Sequence, residues 1–276
     1  MTTPTDAQMP TPAHPGTLDV TWLGQSGFVL RSPLANLLVD RFLSDRGKPL
    51  VQPTPLEALW RIDIVAATHE HWDHLDLPAV VSLLVIRPQV VVLVPSPIVE
   101  QGLEAGVAPD RVRGTQTDED FVNGELHITL LSARHGVHVD DAYNFGIDLS
   151  DGKVRFLGYV FSEEGVVVYH AGDTVLYDEM APRLETPGVQ LALLPINSRD
   201  PERKALDIVG NLSPDEATSY VAKARIHVIV PMHYDMFAGN PGFSEQRVTS
   251  VAHIASGAIV LVFGHQRRLL YTGTAA

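Results

Sequence analysis

The stretch that decides the fold is Thr68–Asp76, which reads THEHWDHLD and follows the apolar run IDIVAA at residues 62–67. A short continuous apolar run is typical of a strand that is covered on both faces. Residues two apart do not share a helix face, so the histidines and carboxylates predict an extended segment that turns into a loop. Imidazole and carboxylate bind divalent cations, and a bound cation offsets the cost of clustering them. The stretch therefore predicts a metal site at a strand end.

Chemically active side chains follow apolar strands elsewhere in the chain as well. His135 ends the strand in FVNGELHITLLSAR, Asp173 follows VVVYHAG, Asn197 follows VQLALLPI and His233 follows IHVIVPM. In open α/β sheets, ligands gather outside the strand ends, so these residues are expected to converge on one site. The recurrence of the pattern disfavours the alternative that THEHWDHLD is a polar loop with incidental histidines.

The segments between these strands carry helix signals. LDLPAVVSLLVIRP has helical spacing and ends at a proline, and SPIVEQGLEAG begins with Ser-Pro and closes on glycine. NLSPDEATSYVAKA contains Ser213, Pro214 and Glu216, the pattern of a capping box with proline at the first helical position. Strands that alternate with helices predict an α/β fold.

Composition limits the function classes. The chain has 276 residues, 45% of them hydrophobic, with no internal break in composition, so we expect one domain over residues 17–276 after a disordered tail at 1–16. The absence of cysteine excludes disulfides, thiolate zinc sites and cysteine nucleophiles, and favours the cytoplasm. A net charge of -13 disfavours nucleic-acid binding, and the longest apolar run is interrupted by Arg87 and Pro88, so no membrane span is expected.

The candidate metal ligands are five histidines and two aspartates: His69, His71, Asp73, His74, His135, Asp173 and His233. They suffice for two divalent ions with open positions, and a hydroxide that bridges two ions is a nucleophile near neutral pH. No Gly-x-Ser-x-Gly motif offers an alternative nucleophile. With sulfur absent, the ligand types permit zinc, manganese or iron.

The sequence resembles the metallo-β-lactamase superfamily. The resemblance lies in HEHWDH at 69–74, His135 in SARHG, Asp173 in YHAGDT and His233 in PMHYD, in the family's order. It implies a four-layer αββα sandwich. It also implies one ion held by His69, His71 and His135, another held by Asp73, His74 and His233, and Asp173 as the bridge, with Asp73 and Asp173 as the catalytic carboxylates.

Further stretches resemble one branch of that superfamily, the ascorbate-6-phosphate lactonase group. They are WLGQSGF, LLVDRFLSD, YHAGDT and LLPINSRD. This narrower resemblance implies a lactonase-like hydrolase that uses manganese or zinc. Asp40 resembles the buried aspartate that orients a ligand histidine in the family, the alternative being an ordinary strand-end aspartate.

Two polar segments are placed where a substrate would arrive: GVHVDDAYNFG after His135 and NSRDPERKALDIVGN after Asn197. The expected substrate contacts are His138, Asn197, Arg199 and Tyr234, each with a solvated loop residue as the alternative. Arg199 predicts an anionic substrate group, unless it forms a salt bridge with Asp200, Glu202 or Asp207. DPERK itself is expected to be a solvated loop. The remaining histidines are expected to be structural: His14, His127, His170, His227, His253 and His265.

These patterns favour a metal-dependent hydrolase that opens a lactone or cleaves another ester of a small substrate, phosphorylated or not. A nuclease or phosphodiesterase of the same superfamily would need a basic surface or an extra arm, which the chain lacks. A metal-binding protein without catalysis stays open, and a phospholipase-like relative would need an apolar entrance. The expected partner is a small molecule, with neither nucleic acid nor membrane; assembly into a homo-oligomer stays open.

Overall fold

A computed structural model describes residues 14–42, 49, 61–124, 126–135, 152–185, 188–237, 257–262 and 264–272. The strands are β1 (Thr17–Gly24), β2 (Gly27–Arg31), β3 (Asn36–Val39), β4 (Ile64–Ala66), β5 (Val91–Pro95), β6 (Val112–Thr115), β7 (Asp120–Asn123), β8 (Leu126–Ser132), β9 (Leu157–Glu163), β10 (Val166–His170), β11 (Leu191–Pro195), β12 (Val228–Met232), β13 (Ile259–Val260) and β14 (Arg268–Thr272). The helices are α1 (Leu77–Ile86), α2 (Val99–Glu104), α3 (Met180–Glu185), α4 (Pro201–Ala205) and α5 (Pro214–Lys223).

The described strands form two seven-stranded sheets. The first has the order β14-β1-β2-β3-β4-β5-β6, and the second has the order β13-β12-β11-β10-β9-β8-β7. In each sheet, antiparallel pairs lie beside parallel ones, as in β1–β2 and β3–β4, or in β9–β10 and β11–β12. A hairpin joins β9 to β10, because Glu163 pairs with Val166 across a tight turn.

The alternation of side chains along the strands builds three cores. On β11, Leu193 faces the other sheet, whereas Ala192 and Leu194 face the helices of the second sheet. The period of two follows from the pleat of the strand. A third core lies between the first sheet and α1, where Val80 and Leu83 are buried. Helices therefore cover the outer face of both sheets, and the predicted αββα sandwich is confirmed.

Local signals at the helix ends position the site. The predicted capping box at α5 is confirmed, because Ser213 Oγ accepts from Glu216 N at 3.2 Å and Glu216 Oε2 accepts from Ser213 N at 2.8 Å. Asp76 caps α1 by accepting from Ala79 N, so the helix begins directly after the histidine-rich loop. This arrangement anchors that loop between β4 and α1.

The segment DPERK is a short helix, which corrects the prediction of a solvated loop. Asp200 accepts a hydrogen bond from Arg203 N at 2.7 Å and Pro201 occupies the first helical position of α4. Aspartate at the cap and proline at the next position favour a helix start. The high charge of DPERK had suggested a solvated loop, and the helix start at Asp200 and Pro201 was overlooked.

The boundary of the predicted tail stays a prediction, because residues 1–13 lie outside the described part of the chain. No helix among the described residues is long and apolar enough to cross a membrane.

Candidate metal centre

The loop after β4 and the ends of three other strands bring the candidate ligands together. His69, His71 and His135 form what we call the first ligand group, and Asp73, His74 and His233 form the second. In the first group, His69 Nε2 lies 2.8 Å from His71 Nδ1. In the second, His74 Nε2 lies 3.4 Å from His233 Nε2, and Asp73 Oδ2 lies 3.7 Å from the latter atom.

Asp173 lies between the two groups. Its Oδ2 is 3.4 Å from His135 Nε2 and 3.2 Å from His233 Nε2, while its Oδ1 is 3.4 Å from His74 Nε2. The backbone before it requires glycine, because Gly172 has φ +62° and a Cβ there would meet Thr68 Cβ, just after β4 of the first sheet, and Leu157 O of β9, each at 2.8 Å. This close approach brings the end of β10 against the first sheet and places one carboxylate within reach of both groups.

Asp40 and Thr68 orient two ligand histidines. Asp40 Oδ2 accepts from His74 Nδ1 at 2.9 Å and from Thr68 Oγ1 at 2.6 Å, while its Oδ1 accepts from Thr68 N at 2.7 Å. Since the Thr68 hydroxyl hydrogen is donated to Asp40, its oxygen is left to accept from His69 Nδ1, 3.0 Å away. Nε2 of both histidines is thereby turned toward the centre.

His135 is oriented from another direction. Its Nδ1 donates to the backbone oxygen of Gly210 at 3.0 Å, so its Nε2 also faces the centre. Gly210 belongs to the segment that joins α4 to α5. That segment therefore supports the first ligand group from outside either sheet.

The charges in the centre differ between the two ligand groups. Burial, followed by the neighbouring histidines, holds the pKa of His69 well below its usual value and lowers the pKa of His71 to about 3. Burial also disfavours protonation of His74, but Asp173, Asp40 and Asp73 together raise its pKa well above the usual value. Burial likewise opposes ionisation of Asp173, yet His233, His74 and His135 hold its pKa well below the usual range. The first group is thus neutral, whereas the second couples carboxylates with protonated imidazole.

The residues present fit divalent metal ions. The seven converging side chains offer nitrogen and oxygen donors, and neither lysine nor arginine belongs to either ligand group. Imidazole and carboxylate suit borderline and hard divalent cations, and the oriented Nε2 atoms are unprotonated donors once a cation replaces the protons. This donor set permits zinc, manganese or iron.

A cavity of about 490 Å³ opens onto the centre. Trp72 and Phe237 form an aromatic wall on it, with ring centroids 5.4 Å apart. Asn197 lines the cavity as the sequence predicted, next to Arg203 and Gln25. The cavity residues in the described part of the chain are Gln25, His71, Trp72, Asp73, His135, Asp173, Asn197, Arg203, Gly210, His233 and Phe237.

Two predicted substrate contacts lie elsewhere. Arg199 donates to Glu216 Oε2 at 2.9 Å and to Asn211 O at 2.8 Å, so its guanidinium ties α5 to the preceding loop. The salt bridge that the sequence left open is therefore present, but with Glu216 instead of Asp200, Glu202 or Asp207. Tyr234 packs against Trp22, with centroids 5.5 Å apart, and burial raises its pKa. Neither residue is among the described residues that line the cavity, and their contact with substrate stays a prediction.

The other histidines divide between structural roles and the undescribed segments. His170 is fully buried and contacts Ser26 O through Nε2 at 2.8 Å, while its Nδ1 accepts from Gly172 N at 3.2 Å. His265 pairs with Asp235. His138, a predicted substrate contact, and His253 lie outside the described residues.

Sequence reasoning missed four side chains of the cavity: Gln25, Trp72, Arg203 and Phe237. Gln25 lies in the WLGQSGF turn, where its φ of +53° signals an unusual backbone that the sequence alone does not show. Arg203 was not considered because the charged segment DPERK was expected to be a solvated loop. The available signal was Asp200 followed by Pro201, which favours the start of a short helix.

The sequence of this chain is similar to those of known proteins. A sequence profile of the Beta-lactamase superfamily domain matches residues 35–234. A UPF0173 metal-dependent hydrolase of Methanopyrus kandleri is 31% identical over 227 residues, covering 79% of this chain and 84% of the relative. Another, of Rubrobacter xylanophilus, is 30% identical over 234 residues, covering 82% of this chain and 86% of the relative.

A solved structure shares the fold. Igni18, a metallo hydrolase from the hyperthermophilic archaeon Ignicoccus hospitalis, superposes with a TM-score of 0.70 at 23% identity, over 92% of this chain and 98% of Igni18. At this identity the likeness bears on the fold alone. The profile spans the histidine-rich loop, His135, Asp173 and His233. The chain therefore belongs to the metallo-β-lactamase superfamily, alongside relatives named metal-dependent hydrolases.

Proposed function

We propose that this protein is a metal-dependent hydrolase that opens a lactone or cleaves another ester of a small substrate. The observation that carries the proposal is the convergence of seven nitrogen and oxygen donors at a cavity of about 490 Å³. Cavities of this size suit small molecules. None of the described residues that line it is serine, threonine, cysteine or lysine, so no hydroxyl, thiol or amine side chain there provides an alternative nucleophile.

The roles of the protein's own residues follow from their positions. Two bound divalent ions would supply positive charge that ionises water near neutral pH and polarises the bond to be cut. His69, His71, His135, Asp73, His74 and His233 would hold them, with Asp173 in contact with both. Burial opposes ionisation of Asp73, but His74 and His233 lower its pKa, so its carboxylate is ionised and can accept a proton from the attacking water.

Asn197 and the aromatic wall would hold the substrate. Asn197 lies at the end of β11, next to the strands that deliver Asp173 and His233, and its side chain lines the cavity. Its amide can donate to a carbonyl oxygen or accept from a hydroxyl. Trp72 and Phe237 can pack against the apolar part of the substrate.

Arg203 would select an anionic substrate. It is the only lysine or arginine among the described residues that line the cavity, and its Nε lies 3.5 Å from Asp200 Oδ2. In a chain of net charge -13, a local cation favours entry of a negative group. The planar guanidinium matches carboxylate or phosphate. Arg203 thus takes the role that the sequence had given to Arg199.

The test is an assay of metal-loaded protein on simple lactones, phosphorylated sugar lactones and structured RNA. We expect the lactones to be opened and turnover to stop on chelation, because the nucleophile depends on bound ions. Arg203→Ala should lower kcat/KM about 10- to 100-fold for an anionic lactone and little for a neutral analogue. Lys204→Ala, next to it on α4, is the matched control and should leave both values unchanged.

Three results would change the proposal. Metal-dependent RNA cleavage that His71→Ala abolishes would make the protein a nuclease. Metal binding without turnover of any ester would leave a binding protein. Equal losses on charged and neutral lactones in Arg203→Ala would remove the preference for an anion while leaving the hydrolase intact.

A further inference from the structure

Gln25 is held at the centre by its backbone. It lies in the turn between β1 and β2 with φ +53°, and its side chain is buried. Its N–H donates to Asp235 Oδ1 at 3.0 Å, and its carbonyl oxygen accepts from His233 N at 3.0 Å and from Trp22 Nε1 at 3.1 Å. A left-handed backbone that is fixed on both sides gives the side chain one direction in which to point.

The carboxamide of Gln25 contacts two members of the second ligand group. Its Nε2 donates to Asp73 Oδ2 at 2.9 Å. A carboxylate only accepts hydrogen bonds, so the amide nitrogen, not the oxygen, must face it. The acceptor is the same Asp73 oxygen that points toward His74 Nε2 and His233 Nε2.

The contact with His233 is of another kind. Gln25 Nε2 lies 3.3 Å from Nδ1 and 3.1 Å from Nε2 of that ring. A nitrogen nearly equidistant from both ring nitrogens at these distances lies over the face of the imidazole, not along either lone pair. The lone pair of His233 Nε2 therefore stays directed toward the centre.

We propose that Gln25 is a positioning residue that acts on the second ion alone. Its carboxamide fixes the rotation of the Asp73 carboxylate through one hydrogen bond and limits the tilt of the His233 ring by packing over it. Hydrogen bonds to ligating carboxylates commonly determine metal affinity. Among the described residues, the hydrogen bonds of the Gln25 side chain go to Asp73 and His233 and none goes to His69, His71 or His135, so we expect the first ion to depend on it far less. The inference rests on the proposed two-ion site. It adds a residue that determines the affinity for the second ion.

The experiment is a metal titration that needs no substrate. Ion-free wild type, Gln25→Met and Ser26→Ala are titrated with Zn²⁺ against a chromophoric chelator, and the melting temperatures of the ion-free proteins are compared. Gln25→Met keeps the length of the side chain but removes the amide, whereas Ser26→Ala alters the same turn without touching either ligand group. We expect Gln25→Met to bind the first ion as the wild type does and the second about 10- to 100-fold more weakly. Ser26→Ala should bind both ions normally.

A further variant separates reach from backbone strain. Gln25→Asn keeps an amide and suits the left-handed backbone, but it is one methylene shorter and cannot span the contact to Asp73. We expect it to lose affinity for the second ion as Gln25→Met does. Wild-type affinity for both ions in either Gln25 variant, equal weakening of both ions, or a wild type that binds fewer than two would overturn the inference. Absent hydrolysis with the expected titration would overturn only the proposed function.

Discussion

The two ligand groups begin in the same loop and are both completed from the second sheet, but they differ in charge. The first is completed by His135 at the end of β8, and burial lowers the pKa of all three of its imidazoles. The second is completed by His233 after β12 and contains Asp73, and the nearby carboxylates raise the pKa of His74 and His233 although burial opposes this. The difference indicates that one group is ready to accept a cation, whereas the other must first release protons.

The largest effect is expected where the two groups meet. Asp173→Ala removes the carboxylate that contacts His135, His74 and His233, so we expect loss of at least one ion. Hydrolysis should fall by more than about 100-fold, because residues that merely orient a ligand already contribute 10–100-fold. Metal analysis measures the number of bound ions, and kinetics measures the rate of hydrolysis. The variant Asp178→Ala, at an exposed position, is the control. Full retention of both ions would remove Asp173 from its position between the groups.

A smaller effect should fall mainly on the second group. Asp40→Asn keeps the shape of the side chain but removes the charge that faces His74 Nδ1, so affinity for the second ion should fall about 10- to 100-fold. One amide hydrogen would then face Thr68 or His74, which leaves a buried donor unsatisfied. The free energy of unfolding should therefore fall by about 1–3 kcal/mol. Chelator competition and urea denaturation measure the two quantities, and an unchanged second ion would contradict the assignment.

The mildest test changes only the pH. Raised pKa values mean that His74 and His233 hold protons in the ion-free protein, and an ion must displace them. Affinity for the second ion should therefore fall steeply between about pH 8 and about pH 6. The first ion should be lost only at lower pH, because the pKa values of His69 and His71 lie below the usual value. Metal titrations at several pH values measure this. An equal change of affinity with pH for both ions would contradict the difference in charge between the two ligand groups.

Within the site, prediction succeeded where a ligand is next to a strong local signal. The His-x-His-x-Asp-His spacing indicated a loop with side chains aimed at neighbouring points, and His135, Asp173 and His233 each follow an apolar strand. The salt-bridge partner of Arg199 was missed because Glu216 is 17 residues away on α5, and the prediction named acidic residues nearer in the chain. Tyr234 follows His233 directly, yet it packs against Trp22 and is not among the described residues that line the cavity.

The sequence by itself determined the alternation of strands and helices, the capping box of α5 and the identity of the candidate ligands, because each depends on residues close together in the chain. Only the tertiary structure showed that Arg199 pairs with Glu216 and that Gln25 and Arg203 line the cavity. Gln25 meets Asp73 across 48 residues and His233 across 208. Contacts at such separations exist because two sheets of a particular strand order pack face to face, and no local pattern records that order.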